Sequence, residues 1–136
     1  MRVTRVYRFS ASHRLNTASL SEARNSELYG KCNNPHGHGH DYILHISLNG
    51  EPASETGRVV DPGALDRYVH ETLLSIYDHS DLNTDVPGFA GVPTTENLAI
   101  DSDRRLRAAW PFAPVLLDRV FIQETGRNSI ELRKTN

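Results

Sequence analysis

A chain of 136 residues has room for one compact domain, expected to span 1–136, and carries 15 basic against 17 acidic side chains. Its net charge of −2, with no basic block anywhere, argues against nucleic acid or an anionic membrane as partner. An apolar fraction of 38% is modest for an isolated core, so association with further copies is expected to bury additional surface.

Taken in chain order, residues 2–13 (RVTRVYRFSASH) mix β-branched, aromatic and polar residues and predict a strand. The stretch from Ser19 to Pro35, with its Ser, Asn, Gly and Pro, predicts a long loop. His38, His40, Tyr42, Leu44, Ile46 and Leu48 share one parity, which predicts a second strand over 38–48 with these six on one face. Asn49-Gly50 turns it. Leu65, Tyr68, Val69, Leu73 and Ile76 then recur at three and four, the period of an amphipathic helix over 62–77 entered at Asp61-Pro62. Thr94-Thr95-Glu96 opens a second helix, with Leu98, Leu106 and Ala109 predicted to face inward. After the break at 110–114, a third strand runs over 115–124, and Asn128-Ser129 turns into a last strand over 130–133. The expected fold is α+β, a four-stranded antiparallel sheet with two helices on one face. Its two free edges need covering, which subunit association can provide.

The sharpest local signal is Pro35-His-Gly-His-Gly-His40. Imidazole is a common zinc ligand, and a His-x-His pair on a strand aims both rings the same way. Glycine between them is expected to leave room for rings and metal. A catalytic zinc takes three protein ligands and keeps one position open, so His13, at the end of the first strand, is the expected third partner of His38 and His40. His36, His45 and His70 are given no role. No apolar run approaches the ~18 residues of a spanning helix. The first dozen residues lack the core of an export signal, and the lone Cys32 cannot form an internal disulfide; a cytoplasmic protein is expected.

Several ordered motifs go further. FSASHRL (9–15) followed by YGKCNNPHGHGHDY (29–42), TGRVVD (56–61), YDHSDLN (77–83), PTTEN (93–97) and QET (123–125) together resemble the 6-pyruvoyl-tetrahydropterin synthase family over nearly the whole chain. The resemblance implies Zn²⁺ on His13, His38 and His40, Cys32 as catalytic base, and Asp78 and His79 completing a relay with it. It implies Glu124 as anchor for the pterin ring, with Thr94, Thr95 and Glu96 against the same ring. The implied substrate is 7,8-dihydroneopterin triphosphate, and Lys31, Arg14 and Arg127 are the cations nearest these motifs for its triphosphate. The implied architecture is the tunnelling fold, in which three subunits close their sheets into a barrel and two such trimers stack as a homo-oligomer. Two features depart from the family pattern: Tyr77 stands where leucine is usual, and LAIDSDRRL (98–106) lacks the aromatic residue typical of its helix.

The chemistry asks for these residue types. Removing a proton from carbon beside the ring needs a base and an adjacent cation to stabilise the charge that develops. Cys32 serves as base only as its thiolate, which a nearby cation favours. A carboxylate at 124 accepts paired bonds from the pterin's amino and amide N–H groups. A close relative in queuosine synthesis makes 6-carboxy-tetrahydropterin and releases acetaldehyde; there three residues separate the cysteine from His-Gly-His, against five in the pyruvoyl type. Here Cys32 to His36 satisfies the first spacing and Cys32 to His38 the second, and the flanking GKCNNP and HDY favour the second. A catalytically idle zinc- and pterin-binding protein is the alternative of another class; intact Cys32, Asp78 and His79 argue against it.

Overall fold

Alternation of inward and outward side chains, interrupted where Ser47 is buried between Ile46 and Leu48, carries β1 (Arg2–His13) and β2 (His38–Asn49) side by side as a long antiparallel pair. The computed structural model that shows this describes residues 1–134. In its register Phe9 lies opposite Tyr42, Ala11 opposite His40 and His13 opposite His38. The two-residue strand β3 (Ser80–Asp81) joins β1 in parallel at Ala11 and Ser12. β4 (Leu116–Thr125) pairs antiparallel with β2, and β5 (Asn128–Arg133) with β4, giving the order β3-β1-β2-β4-β5. The sheet therefore has five strands, one pairing of them parallel, where four antiparallel strands were expected. Two residues show no periodicity; only the free edge of β1 makes them a strand.

The predicted loop over 19–35 contains α1 (Glu22–Tyr29) and a tight 3-10 turn, Gly30–Asn33. Ser21 caps the helix by accepting from the Arg24 N–H at 3.2 Å, and Gly30 ends it at φ 56°, a conformation that favours glycine. The buried Asn25 carboxamide accepts from the Thr17 N–H and donates to the carbonyls of Thr17, Leu20 and Ser21, tying the helix to the chain before it.

The predicted helix over 62–77 appears as α2 (Pro62–Val69), one wider π turn (His70–Leu74) and α3 (Ser75–Tyr77). Leu65, Val69, Leu73 and Tyr77 are all fully buried. Positions four apart drift by about 40° in a regular α-helix, and the π turn takes up that drift, keeping Tyr77 on the buried face. α4 (Thr95–Ala108) begins at Thr94, whose hydroxyl accepts from the Asn97 N–H at 3.2 Å. Leu98 and Leu106 are buried as expected, but Ala109 is exposed because the helix has already ended there, at φ −141° and ψ 40°.

α2 and α4 cover one face of the sheet. Arg5 and Tyr7 of β1 both donate to Asp66 of α2, and the Tyr68 hydroxyl reaches the Leu106 carbonyl of α4 at 2.7 Å. Phe9, Tyr42, Leu44, Ile46, Val120 and Ile122 supply the sheet's side of the core beneath them. The other face carries polar ties, among them Thr4 to Ser47 at 2.8 Å and Arg119 to Ser47 at 3.1 Å. The final hairpin turns at Gly126-Arg127, so Asn128 and Ser129, expected as the turn, already belong to β5. No described helix is long and apolar enough to cross a membrane.

Candidate metal centre and active site

The apolar row on the helix-covered face changes character at one end of the sheet. Beyond Phe9 and Tyr42, the same parity brings His13, His38 and His40 into one cluster, and Glu124 follows Ile122 onto that face from β4. One ring nitrogen of each histidine lies within 4.8 Å of the other two. His13 Nε2 and His38 Nε2 are 3.0 Å apart. Tetrahedral zinc, with Zn–N of about 2.0–2.1 Å, separates imidazole nitrogens by about 3.3 Å, inside this range.

Protonation fits a cation as well. Burial, ahead of every other influence, pushes all three imidazoles below the usual histidine value, which favours the neutral ring whose lone pair a cation can use. His13 Nδ1 donates to the Pro93 carbonyl at 2.7 Å, which fixes its tautomer and turns the Nε2 lone pair toward the cluster. His40 Nε2 is buried with no hydrogen-bond partner among the described residues, 3.8 Å from Glu124 Oε1. A buried, unpartnered nitrogen beside a carboxylate is the local signature that a bound cation resolves. The three histidines therefore suit zinc.

The glycine that the cluster requires is Gly37 and not, as expected, the Gly39 between the ligands. A Cβ on Gly39 would meet nothing nearer than the Ala11 carbonyl at 3.7 Å. Gly37 sits at φ +72°, and a Cβ there would stand 3.1 Å from the His13 carbonyl.

Glu124 lies with Oε2 3.9 Å from His13 Nε2 and accepts the Thr95 hydroxyl at 2.6 Å. Thr95 is buried, whereas the Thr94 hydroxyl accepts the capping bond from the Asn97 N–H and Glu96 is exposed. Asp78 and His79 form a pair at 3.1 Å, and Asp78 Oδ1 also accepts the Ser10 N–H at 2.9 Å. His79 is 84% exposed and adopts φ 60°. Cys32 is half-buried on the 3-10 turn and makes no side-chain hydrogen bond to Asp78 or His79 among the described residues. One chain thus assembles the histidines with Glu124 and Thr95, and separately the Asp78–His79 pair. Of the expected cations, Arg14 donates to the Asn33 carbonyl, while Lys31 and Arg127 are exposed. His36 and His70 are exposed, and His45 lies against Phe121 on the opposite face.

Sequence reasoning missed Pro93, Ser10 and Asn83 as supports. Two of the three act through backbone groups, which no side-chain pattern reveals; Asn83 instead clamps the Arg14 backbone through both its carbonyl oxygen and its amide.

The profile of the 6-pyruvoyl tetrahydropterin synthase family matches residues 2–135. The chain belongs to that family. A 6-pyruvoyl tetrahydrobiopterin synthase of Homo sapiens is 41% identical over 129 residues, covering 94% of this chain and 88% of its own. One of Drosophila melanogaster is 42% identical over 132 residues, covering 96% and 78%. The solved 6-pyruvoyl tetrahydropterin synthase of Caenorhabditis elegans superposes with a TM-score of 0.91 at 36% identity, over 99% of this chain and 96% of that one.

Proposed function

We propose that this chain is a zinc-dependent lyase that converts 7,8-dihydroneopterin triphosphate to 6-pyruvoyl-tetrahydropterin with elimination of triphosphate. The observation that carries this reading is the convergence of three imidazoles beside Glu124, inside a chain of this family. Zinc on His13, His38 and His40 supplies a Lewis acid for the hydroxyls of the substrate's side chain. Glu124 accepts the pterin's amino and amide N–H groups, with Thr95 holding the carboxylate in place and Thr94 and Glu96 at the same helix end.

Cys32, as thiolate, takes the proton from the side-chain carbon next to the ring. Asp78 orients His79, which passes that proton onward. Since the pair does not meet Cys32 within one chain and His79 is largely exposed, the relay is completed where subunits meet. This agrees with the barrel of three subunits, stacked in pairs, of an enzyme working in the cytoplasm.

The pyruvoyl product is favoured over 6-carboxy-tetrahydropterin by the metal register. The cluster uses His38 and His40, the first separated from Cys32 by five residues, and leaves His36 in solvent. Turnover of dihydroneopterin triphosphate by the zinc-loaded protein, with products identified by mass spectrometry, tests the reading. 6-Pyruvoyl-tetrahydropterin with free triphosphate is the expected result. Carboxy-tetrahydropterin with acetaldehyde would move the chain to the queuosine reaction, and zinc and pterin binding without turnover would leave an idle binder.

A further inference from the structure

The two departures from the family pattern, Tyr77 and the non-aromatic stretch of α4, touch each other. Tyr77 is fully buried, its ring 5.4 Å from that of Phe9, and its hydroxyl donates to Asp101 Oδ2 at 2.5 Å. Ser102, which donates to the Leu98 carbonyl at 2.7 Å, lies 3.2 Å from the same hydroxyl. Asp101 is 4% exposed and also accepts from Arg104 at 2.5 Å and from Arg105 at 2.7 Å. These two guanidinium groups reach onward to the carbonyls of Gly88 and Pro87. One buried carboxylate therefore holds both ends of the segment 77–88, on which Asp78 and His79 stand.

That segment needs holding. His79 lies in the left-handed region at φ 60°, which a residue with a side chain adopts only when its surroundings impose it. Its own N–H donates to the Ser10 carbonyl at 2.6 Å, but its imidazole faces solvent and touches only Asp78 among the bonds described. We propose that Asp101 is a positioning residue for the Asp78–His79 pair, acting through Tyr77 at one end of their segment and through Arg104 and Arg105 at the other. The inference rests on the reading of that pair as the proton relay. Charge-assisted bonds from two arginines and a tyrosine to one buried carboxylate are strong and directional, so their geometry is passed to the segment they end on.

Tyr77→Phe deletes one oxygen and keeps the ring, so it tests the link without emptying the core; Asp101→Asn is the second variant. We expect Tyr77→Phe to lower kcat about tenfold, with KM and zinc content within about twofold of the parent, as for an interaction that serves only the reacting geometry. In a His79→Ala background the same change should cost nothing further, because residues acting through one group are not additive. Hydrogen exchange of peptides covering 78–88 should rise in both variants. An unchanged kcat in Tyr77→Phe, or an equal further loss on top of His79→Ala, overturns the positioning role. If His79→Ala alone keeps full turnover, the relay reading falls instead; unchanged exchange over 78–88 would then overturn the tether as well, and raised exchange would uphold it.

Discussion

Each histidine of the cluster owes its place to a different neighbour. His13 is locked by the Pro93 carbonyl, His38 by its pairing with His13, and His40 by the strand parity that sets it beside Glu124. If His13, His38 and His40 hold zinc as proposed, replacing His38 or His40 with alanine leaves two ligands, too few to retain it. Metal analysis of the purified variants should find zinc largely gone, whereas Cys32→Ala should keep its zinc and lose turnover. A Cys32→Ala variant with parental activity would remove the cysteine from the mechanism. Glu124 offers a second test. Converting a carboxylate to an amide removes a charge-assisted acceptor and sets an N–H against the pterin's own donors, so Glu124→Gln should weaken pterin binding by about 10- to 100-fold. Fluorescence titration of the zinc-loaded protein with a non-reacting pterin reads this directly; unaltered affinity would place the ring elsewhere.

At the scale of elements, two tethers fix the frame around the site. α1 leads directly into the turn that bears Cys32, and the Leu15 N–H donates to the Cys32 carbonyl at 2.8 Å. Asn25 pins that helix with four bonds from a side chain only 2% exposed. Asn25→Ala leaves buried backbone groups unpaired and should cost about 1–3 kcal/mol in urea unfolding. A loss near zero would mean that water replaces the amide. The second tether joins β1 to α2 through Asp66. Its carboxyl is held below the usual carboxylate range, first by the Arg5 hydrogen bond, then, against burial, by the Tyr7 hydroxyl and the Arg5 charge. A carboxyl depressed in the folded state binds fewer protons there than in the unfolded chain, whose value is about 3.9. The resulting stability is therefore present above about pH 4 and drains away as pH falls further. The unfolding midpoint of the parent should drop more steeply below about pH 4 than that of Asp66→Asn. Matching slopes would show that solvent screening cancels the tether.

The whole molecule presents one bare sheet face and a β1 edge that β3 covers only at Ala11 and Ser12. Val6, 54% exposed, stands on the uncovered face, and a long free edge invites pairing with another chain. If subunits meet there, Cys32 of one chain can face Asp78 and His79 of the next. Mixing Cys32→Ala chains with His79→Ala chains, each strongly impaired alone, should then raise turnover well above that of either variant after subunit exchange. Complete silence of the mixture, with exchange verified by light scattering and mass, would confine each site to a single chain.

The sequence by itself determined the long strands, the two main helices and which three histidines would cluster. Periods of two and of three to four residues are local, and so is the spacing of His38 and His40. α1 was not predicted, because its polar composition reads as loop and shows no apolar period; only the Ser21 cap and Gly30 mark its ends. What lay outside the sequence was everything made by two distant segments at once. β3 exists because β1 has an open edge, Gly37 is required because the His13 carbonyl approaches it, and the tautomer of His13 is set by a backbone carbonyl 80 residues away. The burial that pushes the three imidazoles below the usual histidine value also arises only in the folded chain, because desolvation is a property of the packed site and not of any residue type.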